Sequence, residues 1–202
     1  MPIHNAMPGV EITTAKTVEK DGWNATHLNL YSHSGTHMDA PVHFNVGTLS
    51  IDQLDPQRLI SKAWVVDVTA IGPKGLITPF HLEGLSEKFI AGDSLLLHTD
   101  WSEKVGTKAY RDELPRISEE LAHWMVRKKV NILGVEPPSV ADVNNLDEVT
   151  NIHSILMQND IIILEGLTNL GAISQEFVTL IALPLKVKNG DGAPARVIAM
   201  ET

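Results

Sequence analysis

Residues 33–43 read His-Ser-Gly-Thr-His-Met-Asp-Ala-Pro-Val-His and place three imidazoles and one carboxylate within eleven positions. Neutral imidazole and carboxylate are the usual protein ligands of zinc, manganese and ferrous iron. Because His and Asp are seldom buried without a partner, core packing explains this density poorly. The segment therefore predicts a metal site with a spare base beside it.

The local sequence also predicts the conformation of this segment. Gly35 and Pro41 both disfavour a regular helix, so we place the segment on a loop that leaves a strand over residues 26–31. Gly35 would let the backbone turn sharply and bring the rings of His33 and His37 together. Pro41 would stiffen the exit from the loop.

Two residues far along the chain are further candidate ligands. His153 falls on the apolar face of a helix predicted over about 145–158, where the ordinary interpretation is a core histidine with a satisfied ring. Glu165 ends the apolar run 161–164. Exposure at the strand end is the ordinary interpretation there, because an unpaired buried carboxylate is costly. The predicted helix leads directly into this strand, so the two side chains are considered together.

Strand and helix patterns alternate along the chain, which indicates an α/β or mixed α+β class. Ser118 is a predicted N-cap for a helix to about Lys129, with acidic residues in its first turn and basic residues in its last. Thr78-Pro79 predicts another helix start. Four strands are predicted at 63–68, 94–98, 131–135 and 160–165, and each is apolar enough to be covered on both faces. A terminal hairpin is predicted from the segments 183–187 and 195–200, which flank the turn 189–192.

Composition limits the class of protein. The chain has 202 residues, 43% of them hydrophobic and 20% charged, which fits one domain over residues 1–202. Its net charge is −9 and its longest basic run is Arg127-Lys128-Lys129, so no nucleic-acid partner is expected. No apolar run reaches the ~18 residues of a membrane span, and residues 1–10 do not resemble a secretory signal, so we expect a cytoplasmic protein. Without cysteine, any metal must be held by N and O atoms.

The segment 33–43 resembles the H-x-G-T-H-x-D-x-P-x-H signature of the cyclase-type metal hydrolases, a family that includes bacterial kynurenine formamidases and isatin hydrolases. The resemblance extends over about residues 25–200. It continues in the segments 92–99, 134–140, 153–170, 183–186 and 194–196.

The resemblance implies a single α/β domain with a mixed, barrel-like sheet and flanking helices, of the swivelling β/β/α type. It implies hydrolysis of a small amide, formamide or cyclic amide or ester by metal-activated water, with His43 as the acid/base. It further implies one or two Zn²⁺ or Mn²⁺ ions per subunit, a small-molecule substrate, and a homo-oligomer, dimer or tetramer, whose N-terminal segments shape the neighbour's pocket. The implied metal ligands are His33, His37, Asp39 as a bridge, His153, and Glu165 as a second bridge.

Alternatives remain at this stage. His33, His37 and Asp39 could form the 2-His-1-carboxylate triad of a non-haem iron oxygenase, or the site could hold metal without turnover. The N-terminal segment 5–10 departs from the family pattern. Three aromatic residues are candidates for the pocket wall, although core packing is their more usual role: Trp23, Phe44 and Trp101.

Overall fold

The computed structural model describes residues 10–201. The described elements include short 3₁₀ helices at Pro41–Phe44, Ile51–Gln53, Pro56–Leu59, Pro79–Leu85, Trp101–Lys104 and Leu170–Ala172. The α-helices are α1 Val18–Asp21, α2 Lys108–Asp112, α3 Glu119–Lys128 and α4 Leu146–Gln158. The strands are β1 Glu11–Lys16, β2 Ala25–Asn29, β3 His37–Asp39, β4 Ile60–Asp67, β5 Leu76–Ile77, β6 Ser94–His98, β7 Arg116–Ile117, β8 Ile132–Val135, β9 Ile162–Glu165, β10 Phe177–Pro184 and β11 Gly192–Met200.

Seven strands close into a barrel in the order β10-β11-β3-β9-β8-β6-β4. Neighbouring strands from β4 through β6 and β8 to β9 pair in parallel, whereas β3, β10 and β11 pair antiparallel with their neighbours. The expectation of a mixed, barrel-like sheet with flanking helices is confirmed.

The core has two parts because side chains alternate between the two faces of each strand. On β6, Leu96 packs inside the barrel, whereas Leu95 and Leu97 face the helices. The outer part is covered by α3 and α4, which contribute the buried Leu121 and Leu156. Strands β6, β8 and β9 are buried almost throughout, as their continuous apolar runs predict, but both ends of β4 are more exposed.

The helix predictions agree with the structure. The Ser118 side chain accepts a hydrogen bond from the Leu121 amide at the start of α3, and the Asn145 side chain accepts one from the Glu148 amide at the start of α4. Thr78 precedes a helix as predicted, but that helix is 3₁₀.

Two local predictions were wrong. The segment 33–43 is not wholly a loop, because its centre is strand β3 and Pro41–Phe44 is a 3₁₀ helix. Three residues were too few to show the strand's alternation in the sequence. The terminal hairpin is present, but β10 ends at Pro184, so residues 185–187 lie in the connection to β11.

Strands β1 and β2 form a separate antiparallel ribbon. Its apolar side chains are exposed: Ile12 by 63%, Leu28 by 57%, and Trp23 in the connection by 58%. Strand β2 covers most of the strand predicted over 26–31. Most of the segment 5–10 lies outside the described residues.

Within residues 10–201, no helix is both long and apolar enough to cross a bilayer.

Candidate metal centre

Barrel register and one helix bring the predicted ligands together. His37 and Asp39 lie at the two ends of β3, and β3 pairs antiparallel with β9 so that His37 lies opposite Glu165. His33 precedes β3 on a turn in which Gly35 has φ +63°, the sharp bend predicted for it. His153 lies on the buried face of α4. All five predicted ligands are therefore buried at one place.

The distances define a tight cluster around Asp39. Its Oδ1 lies 2.8 Å from His33 Nδ1 and 3.5 Å from His37 Nε2, and its Oδ2 lies 3.8 Å from His153 Nε2. Glu165 closes the other side, with its Oε2 3.3 Å from His37 Nε2 and its Oε1 3.4 Å from His153 Nε2. These residues form two possible metal-binding groups, His33–His37–Asp39 and Asp39–His153–Glu165, and the ligand atoms of each group lie within 4.8 Å of one another. The two groups share Asp39.

Each of the three imidazoles has one nitrogen directed into the cluster and the other hydrogen bonded outside it. His37 Nδ1 lies 2.8 Å from the Gly35 carbonyl oxygen, and His153 Nδ1 lies 2.7 Å from the Val149 carbonyl oxygen. A carbonyl oxygen can only accept a hydrogen bond, so in the neutral form of both residues Nδ1 carries the proton and Nε2 keeps the lone pair that could bind a metal. This orientation is typical of metal-binding histidines.

The donor set fits a divalent cation. Asp39 and Glu165 are 3% and 4% exposed, and two buried carboxylates at one site repel each other unless positive charge lies between them. Three imidazoles and two carboxylates, with no sulfur, match the ligand preferences of zinc or manganese.

The charges of the cluster move the pKa values of its members. Burial would lower the pKa of His33, but its hydrogen bond to Asp39 and the charges of Asp39 and Asp191 raise the pKa to about 9. Burial likewise opposes protonation of His37 and His153, but the neighbouring carboxylates raise the pKa of both. Burial would raise the pKa of Asp39, but the surrounding imidazoles hold that pKa well below its usual range. Positive charge in the cluster, on a proton or a metal, therefore stabilises the ionised carboxylates.

His43 lies at the edge of the cluster, on the 3₁₀ helix that begins at Pro41. Its ring stacks on that of His33 with 3.9 Å between ring centroids, and its Nδ1 lies 3.5 Å from Asp191 Oδ2. Burial lowers the pKa of His43. His43, His33 and Asp191 also form a third group that could hold a cation, but only His33 of that group is fully buried.

The cluster opens onto a cavity of about 220 Å³ that has His43 on its wall. Phe44 also lines the cavity. Its ring stacks on that of His153 with 4.4 Å between ring centroids, so its role is not limited to core packing. Burial, together with the charges of Glu165 and Glu136, raises the pKa of Tyr110, which therefore stays a neutral phenol. The other lining residues include Arg111, Pro138, Ser139, Val143, Leu146 and Val149.

Two of the aromatic candidates do not line this cavity. Trp101 is buried in the core, where its indole Nε1 donates to the Tyr110 carbonyl oxygen at 2.8 Å. Trp23 is exposed on the connection between β1 and β2.

Sequence reasoning missed three residues of this region: Tyr110, Arg111 and Asp191. Asp191 belongs to the Asn-Gly-Asp-Gly segment that was interpreted only as a turn. A carboxylate inside a turn sequence was the available signal, but its contact with His33 spans 158 positions. Tyr110 and Arg111 lie on the short helix α2 and carried no signal of this kind.

A mixed barrel buries two carboxylates among three histidines, beside a pocket with a further histidine, and this donor set suits a metal-dependent hydrolase. The Cyclase family model matches residues 1–142, and the chain belongs to that family. The protein is a metal-dependent amide hydrolase.

The relatives of this chain include proteins named kynurenine formamidase. The protein of Bacillus thuringiensis strain Al Hakam is 32% identical over 183 residues, which cover 89% of this chain and 81% of the relative. The protein of Bacillus mycoides strain KBAB4 is 32% identical over 178 residues, covering 87% of this chain and 79% of the relative.

Solved structures share the fold. An isatin hydrolase bound to the product analogue thioisatinate superposes with a TM-score of 0.86 at 27% identity, covering 95% of this chain and 81% of that one. Isatin hydrolase A from Labrenzia aggregata gives a TM-score of 0.88 at 23% identity, covering 100% and 88% of the two chains, which shows the likeness of fold alone.

Proposed function

We propose that this protein hydrolyses the amide bond of a small aryl formamide, in the manner of a kynurenine formamidase. The observation that carries the proposal is the pair of buried ligand groups sharing Asp39, with His43 on the wall of the adjoining cavity. The likeness to kynurenine formamidases at 32% identity supports a formamide. The cavity of about 220 Å³ is small, and it is walled in part by Phe44 and aliphatic side chains, which suits one aromatic ring.

A cyclic amide is the second candidate substrate class. The likeness to an isatin hydrolase at 27% identity and a TM-score of 0.86 favours it. Both substrates require the same bond cleavage, an attack of water on an amide carbonyl carbon.

Zn²⁺ or Mn²⁺, one or two ions per subunit, is the proposed cofactor. When bound, the metal would polarise the substrate carbonyl and make water a better nucleophile. The residues proposed to hold it are His33, His37, Asp39, His153 and Glu165. The oxygenase alternative needs only the first three, and the convergence of His153 and Glu165 on the same cluster favours the hydrolase.

His43 is the proposed acid/base. One of its nitrogens faces Asp191, and the ring lines the cavity, so the other nitrogen is available to exchange protons there. His43 would accept a proton from the attacking water as the carbon–oxygen bond forms. It would then return that proton to the leaving nitrogen as the carbon–nitrogen bond breaks. The products are a carboxylic acid and an amine, which balances the addition of one water.

We further propose a cytoplasmic homo-oligomer, a dimer or tetramer. An isolated two-stranded ribbon is marginally stable in water, yet β1 and β2 expose Ile12 and Leu28, with Trp23 exposed in their connection. A second copy of the chain would cover these apolar side chains. Light scattering of the purified protein measures the oligomeric state, and a monomer at micromolar concentration would contradict the proposed homo-oligomer.

The function is tested with chelator-stripped protein reloaded with Zn²⁺ or Mn²⁺ and assayed on N-formylkynurenine, isatin and a simple lactone. We expect metal-dependent release of formate from the first, with slower ring opening of the second. Metal-loaded protein that consumes O₂ with ferrous iron and hydrolyses none of the three would overturn the proposal. Turnover of isatin alone would select the second candidate.

A further inference from the structure

Asp191 contacts the metal centre from outside the predicted ligand set. Its Oδ2 lies 3.0 Å from His33 Nε2 and 3.5 Å from His43 Nδ1, and the Ser32 hydroxyl donates to the same oxygen at 3.4 Å. One carboxylate oxygen therefore faces both a proposed metal ligand and the proposed acid/base. Asp191 does not line the 220 Å³ cavity.

The backbone around Asp191 is held firmly by the rest of the fold. The Ala40 amide donates to the Asp191 carbonyl oxygen at 2.9 Å, a backbone contact that no side chain of the turn is needed to form. Gly192 lets this turn approach the ring, because a Cβ at that position would lie 2.7 Å from His33 Cε1. The backbone position of Asp191 is thus set by the contacts of its turn with the barrel.

The three histidines of the cluster differ in which ring nitrogen faces the other proposed ligands. His37 and His153 each use Nδ1 on a backbone carbonyl and direct Nε2 into the cluster. His33 is turned the other way: its Nδ1 faces Asp39 at 2.8 Å, and its Nε2 faces Asp191. For His33, the Asp191 carboxylate takes the place that a carbonyl oxygen takes for the other two.

We propose that Asp191 is a positioning residue that accepts the Nε2 proton of His33, which leaves Nδ1 as the donor atom for metal, and that it also orients the ring of His43. The inference rests on the proposed function, since it assumes that His33 binds metal and His43 moves protons. A carboxylate behind a metal-bound imidazole fixes its tautomer and makes it a stronger donor, and loss of such a partner typically lowers metal affinity by about 10- to 100-fold.

The test compares Asp191→Ala and Asp191→Asn with the wild-type protein. Zinc affinity is measured by competition with a chelating dye, and the His33 tautomer by ¹⁵N NMR of the zinc-loaded protein. We expect Asp191→Ala to lose about 10- to 100-fold in affinity and to lose the Nε2–H form of His33. Asp191→Asn keeps an acceptor oxygen, so it should recover much of the affinity. At saturating zinc, kcat of Asp191→Ala should fall while KM changes little, because Asp191 does not line the cavity.

Asp52→Ala is the matched control, because it removes a hydrogen bond of the same turn and leaves the Asp191 carboxylate in place. The inference would be overturned if Asp191→Ala bound zinc with wild-type affinity or if Asp52→Ala lost as much zinc affinity as Asp191→Ala. It would also be overturned if Asp191→Asn bound zinc as weakly as Asp191→Ala. If the wild-type protein itself binds no zinc or cleaves no amide, the proposed function fails. If it does both and Asp191→Ala behaves like it, only the role of Asp191 fails.

Discussion

At the scale of single residues, the histidines of the site differ in position: some direct a ring nitrogen into the cluster, whereas His43 lies beside it. His37 and His153 have their outer nitrogens on carbonyl oxygens, so their inner nitrogens are committed to the cluster. His43 is stacked on His33 and lies on the cavity wall. This difference predicts two kinds of variant, one that loses metal and one that keeps it.

We expect His43→Ala to keep its metal and to lose about 10²- to 10⁴-fold in kcat, because general acid–base catalysis contributes an effect of this size. His33→Ala should lose metal and activity together. Metal content by mass spectrometry and kcat on the best substrate of the assay panel check both variants. Loss of metal in His43→Ala would make His43 a ligand, which its grouping with His33 and Asp191 allows.

Asp39→Ala should remove most of the metal, because Asp39 belongs to both ligand groups. The measurement is the amount of Zn²⁺ bound per chain after dialysis against buffer that contains a trace concentration of Zn²⁺. Asp93→Ala provides the control, since Asp93 is another buried carboxylate but is bonded to the Trp64 indole at 2.7 Å, outside the centre. Equal metal in the Asp39 variant and the wild-type protein would contradict a shared ligand.

At the scale of secondary-structure elements, each part of the site depends on one local interaction. Strand β3 is only three residues long, but it pairs with both β9 and β11 and so holds His37 opposite Glu165. Helix α4 places His153 on its buried face, and its first turn is capped by Asn145. The stability of α4 therefore affects one corner of the centre.

Asn145→Ala should lower the free energy of unfolding by about 1 kcal/mol, the usual effect of losing a side-chain N-cap. Urea denaturation of the metal-free protein measures it. Thr17→Ala is the matched comparison, because Thr17 precedes α1 without making a side-chain cap hydrogen bond. A loss in Thr17→Ala as large as that in Asn145→Ala would show that capping is not the cause.

At the scale of the whole molecule, the centre ties together parts that are distant in the chain. Its proposed ligands come from the turn before β3, from β3, from α4 and from β9. The barrel must be closed before these side chains can meet, so metal should bind the folded state far better than the unfolded chain. Metal binding is then linked to global stability.

Removal of metal by a chelator should therefore lower the melting temperature, and added Zn²⁺ or Mn²⁺ should restore it. Binding only to the folded state contributes about 2.7 kcal/mol when free metal is at a hundred times its dissociation constant. Thermal melts with and without chelator measure the shift. The Asp39→Ala protein serves as the control, because its melting temperature should change little when chelator is added. A wild-type melting temperature that is the same with and without chelator would contradict a tight metal site.

The sequence by itself predicted the clustering of His33, His37 and Asp39, the class of the fold and both long helices, because these depend on residue types and spacings that are local. Ser118 and Asn145 cap their helices as expected, and His33, His37 and Asp39 are close in both chain and space. The barrel-like sheet was expected only through the family resemblance, since strand patterns do not specify how strands pair.

Tertiary structure alone decided what depends on distant pairings. Glu165 is buried because β9 pairs with β3, although a carboxylate at a strand end is usually exposed. The centre of the segment 33–43 is a strand because β9 and β11 supply hydrogen-bonding partners that a three-residue pattern cannot reveal. Asp191 reaches His33 across 158 positions because barrel closure brings the β10–β11 connection to β3, and no local signal encodes that approach.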